Sequence, residues 1–220
     1  MTELNLEVFQ DLHLRPKHGG RSIRDAILSQ VRKPWRHEPD KEKILQRAGL
    51  PSQDVIALAR DSFNDIDESA LVLWEESGSY HVANIVPARV GQLSILQYNT
   101  ILQDFVERIV KLATMDGSFF FHLTPSQHSL EDWLGIDVAN ALRNFSYAAN
   151  KSTGTSHPSD QERWFHFLID AHRTSVALSP GDLARWFVEV HDWPEDTAHE
   201  LAIEYEFARA LLQKYDSAKP

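Results

Sequence analysis

The sequence predicts an α+β fold, and three features carry that prediction. Two alternating apolar runs flank a Ser-Gly turn, an apolar stripe at helical spacing follows them, and capped helix starts recur after residue 125. The expected architecture is a small antiparallel sheet of about three strands in the order β-β-α-β, with one crossing helix, joined to a mainly helical C-terminal half.

The first element is an amphipathic helix over residues 22–33. Ser22 and Asp25 form an S-x-x-D start, Ile23, Ile27 and Val31 recur every four residues, and Pro34 stops the helix. Residues 35–51 are polar, bounded by proline and hold one weak helical turn around Ile44 and Leu45, so they read as a hinge. Residues 52–61 read as another short helix.

The β signal is clearest at residues 70–75 and 80–86, joined by Ser77-Gly78-Ser79 and closed by Pro87. On the second run Tyr80, Val82, Asn84 and Val86 share one face and His81, Ala83 and Ile85 the other, so both faces are expected to be partly covered. From 93 to 113, Ile95, Tyr98, Leu102, Phe105, Ile109 and Leu112 form a helical stripe. Ile101, Val106 and Val110 widen it to what a helix lying across a sheet requires. Met115-Asp116-Gly117 then turns into a short buried strand at 118–123.

Beyond Pro125, helix starts are expected at Ser129 with Asp132, Ser159 with Glu162, Ser179 with Pro180 and Asp182, and Asp192 with Glu195. The last helix, over about 193–215, places Ala198, Leu201, Tyr205, Ala208, Leu212 and Tyr215 on one face. The organisation follows as a basic N-terminal helical arm and hinge (1–50), a β-hairpin, helix and strand body (51–125), and a helical C-terminal region (126–220) packed on the body.

The 220 residues include 32 acidic and 22 basic side chains, a net charge of −10, and no cysteine. A disulfide framework, a cysteine nucleophile and thiolate-bound zinc or iron–sulfur centres are thereby excluded, because each needs the sulfur. No apolar stretch near the N-terminus is long enough for a signal peptide or a membrane span, so a reducing cytoplasm is the expected location and no membrane association is expected. Charge is uneven: residues 13–47 hold ten Lys or Arg against four acids. Either that segment folds back on the acidic body or it addresses phosphate or an acidic partner.

Reactive side chains gather at four places in the sequence. On the helix after Ser159, Glu162, His166 and Asp170 recur every fourth residue and Arg173 follows, a spacing that suits a general base or a solvated face laced with ion pairs. The loop before it gathers Lys151, Ser152, Thr153, Thr155, His157 and Asp160 ahead of a helix N-terminus, where free amides favour an anion. It is no P-loop, since Lys151 precedes the only glycine, Gly154. His199-Glu200 opens like a zinc-hydrolase motif, but Ile203 stands where the second ligand belongs; no metal and no cofactor is expected. Arg32 and His37 have a ribonuclease-like spacing that Pro34 interrupts.

Arg24, Arg32, Lys33, Trp35 and Arg36 interleave an aromatic with cations, which suits nucleic acid or an acidic partner, although the overall charge opposes a polyanion. The acidic C-terminal third, with Trp186, Trp193, Glu200 and Glu204, suits a basic protein partner. Three readings result. The favoured one is a non-catalytic regulatory or interaction protein, antitoxin-like, immunity-like or a subunit of an assembly, that presents an acidic helical surface to a protein partner or to a second copy. The alternatives are an enzyme binding a phosphorylated or nucleotide-like ligand at the 150–160 loop, with His157, Asp160, Glu162, His166 and Asp170 as its reactive set, and a nucleic-acid binder acting through residues 15–47.

Overall fold

Leu12 and Leu14 alternate with His13 and Arg15, and that short alternation commits the first long strand to the sheet. The computed structural model describes residues 5–17, 19–48, 54–63, 66–115, 117–174 and 178–218. The chain divides into two compact units, Glu7–Ser126 and Met1–Leu6 with Gln127–Pro220.

After a two-residue strand β1 (Leu6–Glu7), the first unit runs β2 (Leu12–Pro16), α1 (Ile23–Gln30), β3 (Trp35–His37), α2 (Pro39–Ala48), β4 (Val55–Arg60), β5 (Ser69–Glu76), β6 (Ser79–Pro87), α3 (Ile95–Phe105), a π-helical turn (Val106–Val110), α4 (Lys111–Ala113) and β7 (Phe119–Leu123). The sheet has six strands in the order β3-β4-β5-β6-β2-β7, every neighbouring pair antiparallel. The α+β class therefore stands, and the three-strand estimate is corrected. The hairpin falls where alternation placed it and β7 where a short apolar run did, although β7 is not buried as expected, Phe120 and His122 being exposed; β2, β3 and β4 join them from segments read as arm, hinge and helix.

The correction at β4 has a physical cause. Val55–Arg60 is buried at every position, so its apolar run carries no period of two that distinguishes a strand from a buried helix. Ser52 and Gln53 of the expected helix, the boundary expected at 50/51 and Asp116 of the expected turn lie outside the described residues. The expected hinge supplies β3, whose Trp35 is buried, and α2.

Ser77 and Gly78 both take positive φ, 54° and 82°, which matches the two-residue turn that twists with its flanking strands. The sheet's core face carries Leu12, Leu14, Leu58, Leu71, Leu73 and Ile85, and α1 with the long helical segment packs on it through Ile23, Ile27, Leu102, Phe105 and Ile109. The widened stripe does this: Ile101, Val106 and Val110 are all buried.

The second unit holds β8 (Gln127–His128), paired with β1, then α5 (Leu130–Ala148), α6 (Pro158–Arg173), α7 (Pro180–His191) and α8 (Glu195–Ser217). Its core is aromatic, with Phe145, Trp164, Phe167, Trp186, Phe187, Trp193 and Tyr205 buried together. No helix among the described residues is long and apolar enough to cross a membrane.

Candidate functional site

Cap chemistry fixes where three of the four helices of the second unit begin, and so which of their side chains face a groove. Ser129 and Asp132 form the expected capping box, and the Ser179 hydroxyl accepts from the Asp182 N–H at 3.0 Å. Two starts differ. Helix α6 begins at Pro158, and the N-cap is His157, whose Nδ1 accepts from the Ser159 N–H at 3.2 Å. Proline presets the first helical φ and an imidazole nitrogen replaces the usual hydroxyl, so the start lies before Ser159. Asp192 caps the other end of α7: it sits in the left-handed region at φ 52°, and α8 starts after Pro194.

The 150–160 loop is organised by Asn150. Its side-chain oxygen accepts from the Ser152 N–H at 3.0 Å and hydroxyl at 2.8 Å, and its carbonyl accepts from the N–H groups of Thr153 and Gly154. The Thr153 carbonyl accepts from the hydroxyl and N–H of Ser156. Lys151 donates from Nζ to the carbonyl of His191, at the C-terminus of α7. This lysine thus caps a negative helix end.

The α6 stripe divides as well. Asp160 is buried and accepts from Arg163 at 2.6 Å, while Asp170 lies 3.3 Å from His166 Nε2 and 3.6 Å from Arg173. Glu162 is exposed. His166, Asp170 and Arg163 face a groove of about 590 Å³ whose other wall is α5, with Asp137, Asn140 and Asn144. Those α5 residues were not picked out by sequence reasoning; their signal was a polar run at helical spacing on an otherwise apolar helix. The groove offers carboxamides, an imidazole beside a carboxylate, and a guanidinium, a set able to hydrogen-bond a small polar molecule. Among the described residues no three His, Asp or Glu side chains are grouped so as to hold a metal ion.

A second groove, of about 400 Å³, lies between α6 and α8 and is mostly apolar. Phe165 and Ile169 form one wall, Phe207 and Leu211 the other; Glu204 stands on it and Thr155 contributes from the loop. All four apolar side chains are exposed, Phe207 at 68%. The sequence signal was two i, i+4 apolar pairs lying off the core stripe of their helices. Glu200 and Glu204 are exposed on α8. Trp186 and Trp193, expected on that surface, are buried instead: Trp193 donates to Ser146 Oγ at 3.0 Å, and the Trp186 ring packs tilted against that of His191 with centroids 4.2 Å apart.

In the first unit two of the four candidate cations, Arg24 and Arg36, are taken up internally. Arg24 bonds Glu42 at 2.6 Å, and Asp54 and the Val55 carbonyl at 2.9 Å. Glu42, itself buried, also accepts from the Ala57 N–H at 3.1 Å and faces His37 Nε2 at 2.6 Å. Asp54 accepts from the Tyr80 hydroxyl; burial first, and this bond second, hold the phenol well above its usual range. Arg36 pairs with Glu38, Asp61 and Glu68. Trp35 donates to Asp104 at 2.9 Å and packs on Phe105. Arg32 and Lys33 are exposed. Arg24, Arg36, Lys41 and Lys43 of the basic segment pair with acids of their own unit.

Comparison with protein-family models, with curated proteins and with solved structures finds no match.

Proposed function

We propose that this is an interaction protein whose helical unit docks an amphipathic helix with basic flanks in the groove between α6 and α8. The observation that carries the reading is the pairing of Phe165 and Ile169 with Phe207 and Leu211, four exposed apolar side chains lining one groove. A contiguous exposed apolar patch of this kind marks a binding surface, and its spacing suits the i, i+3, i+4, i+7 anchors of a helix.

Charge selects the partner. Residues 127–220 carry 15 acids against 8 basic side chains, and α8 alone has six acids against Arg209 and Lys214. Lysines or arginines flanking the apolar anchors of the incoming helix would be steered to that surface and would discriminate against acidic competitors.

The test is a titration of the full chain with a synthetic Leu/Lys amphipathic helix, read by backbone amide shifts. Saturable binding is expected, with shifts confined to α6 and α8, weakening as salt is added and lost in Phe207→Asp. Shifts elsewhere, or binding that Phe207→Asp leaves intact, would remove the support for this reading.

A further inference from the structure

The sheet ends on one side in β7, Phe119-Phe120-Phe121-His122-Leu123, which among the described residues pairs only with β2. The Lys17 N–H donates to the Ser118 carbonyl at 3.1 Å, and the Thr124 N–H to the Asp11 carbonyl at 2.9 Å. In an antiparallel ladder this parity makes Phe120 and His122 the residues bonded inward to β2. Phe119, Phe121 and Leu123 therefore turn their N–H and C=O groups outward, where no strand lies among the described residues.

Sheet edges are ordinarily guarded by lysine, proline, a bulge or brevity. β7 has none of these: it runs five residues in unbroken register, and Phe120 is 59% exposed. Such an edge calls for an occupant, and we infer that it is β7 of a second copy of this chain, paired antiparallel about a two-fold axis at Phe121.

Three features favour the second copy. Setting Phe121 opposite itself puts Phe119 opposite Leu123 of the partner copy, so every outward N–H and C=O of both strands finds an acceptor or donor in one register. On the exposed face each Phe120 then meets His122 of the partner copy at the closely spaced, non-hydrogen-bonded positions, an aromatic pair with no like charges opposed. The same symmetry turns the cationic end of one sheet, Arg15 with Lys17 set over the Phe120 ring, toward the Asp11 end of the other. The dimer does not depend on the α6–α8 groove.

The experiment measures the mass of the full chain against concentration by sedimentation, together with amide hydrogen exchange. A shift toward twice 25.2 kDa is expected, with protection of the Phe119, Phe121 and Leu123 amides rising with concentration. Phe120→Lys should weaken dimerisation roughly tenfold through its two symmetric contacts; because it also ends the Lys17 contact and sets a cation opposite Arg15, thermal unfolding of the monomer is followed alongside and the dimer constant is read only under conditions where the variant is folded. A monomer at every concentration overturns the proposal, as does a dimer whose three outward amides exchange freely, or one that Phe120→Lys leaves intact. Should that variant fail to fold, the amide pattern of the unaltered chain still decides.

Discussion

Arg60, fully buried in β4, donates from Nε to Oδ2 of Asp104 on α3 at 3.0 Å. The same carboxylate accepts from Trp35 Nε1 at 2.9 Å and from Arg108 Nε at 2.7 Å, so one side chain ties together β3, β4 and the long helical segment. The other guanidinium nitrogens reach the carbonyls of Asp61, Phe63 and Ile66. Removing Asp104 would strand a buried cation. Asp104→Ala is expected to lower stability by about 3–5 kcal/mol, the usual cost of breaking one half of a buried pair, measured by urea unfolding. A loss under 1 kcal/mol would show that water replaces the carboxylate.

The same contact sets a pH dependence. Burial pushes the Asp104 carboxyl up, but the bonds from Arg60, Arg108 and Trp35 outweigh it and hold the group below its ordinary value. A carboxyl with a depressed folded-state pKa contributes stability that is fully present above its unfolded value, near pH 4, and is lost as pH falls through the folded-state value. The urea midpoints of the natural chain and of Asp104→Asn should therefore lie furthest apart near neutrality and converge in acid. A constant separation down to about pH 3 would contradict the assignment.

Glu42 gives a second, separable prediction. It closes the ladder beyond the end of β3, where the Ala57 N–H has no strand partner, while binding Arg24 and facing His37. Glu42→Gln leaves Arg24 its bonds to Asp54 and the Val55 carbonyl but removes the charged acceptor. The expected loss is about 1.5–3 kcal/mol, the range for a hydrogen bond to a charged group. Exchange of the Ala57 amide should quicken in the variant more than that of Leu58, its neighbour within the ladder.

What could be read in the sequence follows from how local its physical cause is. The β5–β6 hairpin was legible because alternation and a Ser-Gly pair suffice to specify it, and the long helical segment because its stripe repeats over five turns. β3 was not, being three residues whose pairing with Arg60, Ala59 and Leu58 is its only reason to be extended. β2 did alternate, Leu12 and Leu14 inward, but over too short a run to stand out. Lys151 looked like an anion ligand because the carbonyl it caps, that of His191, lies forty residues along the chain. The α5–α6 and α6–α8 grooves each require two helices to be juxtaposed, which no single-segment pattern contains.

Gly135 interrupts α5 with φ 70° and ψ 167°, a region essentially reserved for glycine, and a Cβ there would meet nothing within 4 Å. Conformation rather than space therefore decides the cost of substitution. Gly135→Ala should destabilise by about 1–3 kcal/mol, the price of a side chain in that region. If the substitution proves neutral, the two halves of α5 can straighten into one helix, and circular dichroism would register added helicity.

Trp186 and Trp193 offer a matched pair of substitutions. Both are buried in one aromatic cluster, and replacement by phenylalanine removes the same atoms from each. They differ at the indole nitrogen: that of Trp193 donates to Ser146 Oγ, which also bonds His191 Nδ1, whereas that of Trp186 is buried with no hydrogen-bond partner among the described residues. Trp193→Phe loses a made bond on top of the packing loss; Trp186→Phe removes a donor whose desolvation was uncompensated. The packing terms being similar, Trp186→Phe should be the milder by roughly 1–3 kcal/mol in urea unfolding. Equal losses would mean that the Trp186 N–H is satisfied in solution, most simply by a buried water beside the His191 ring.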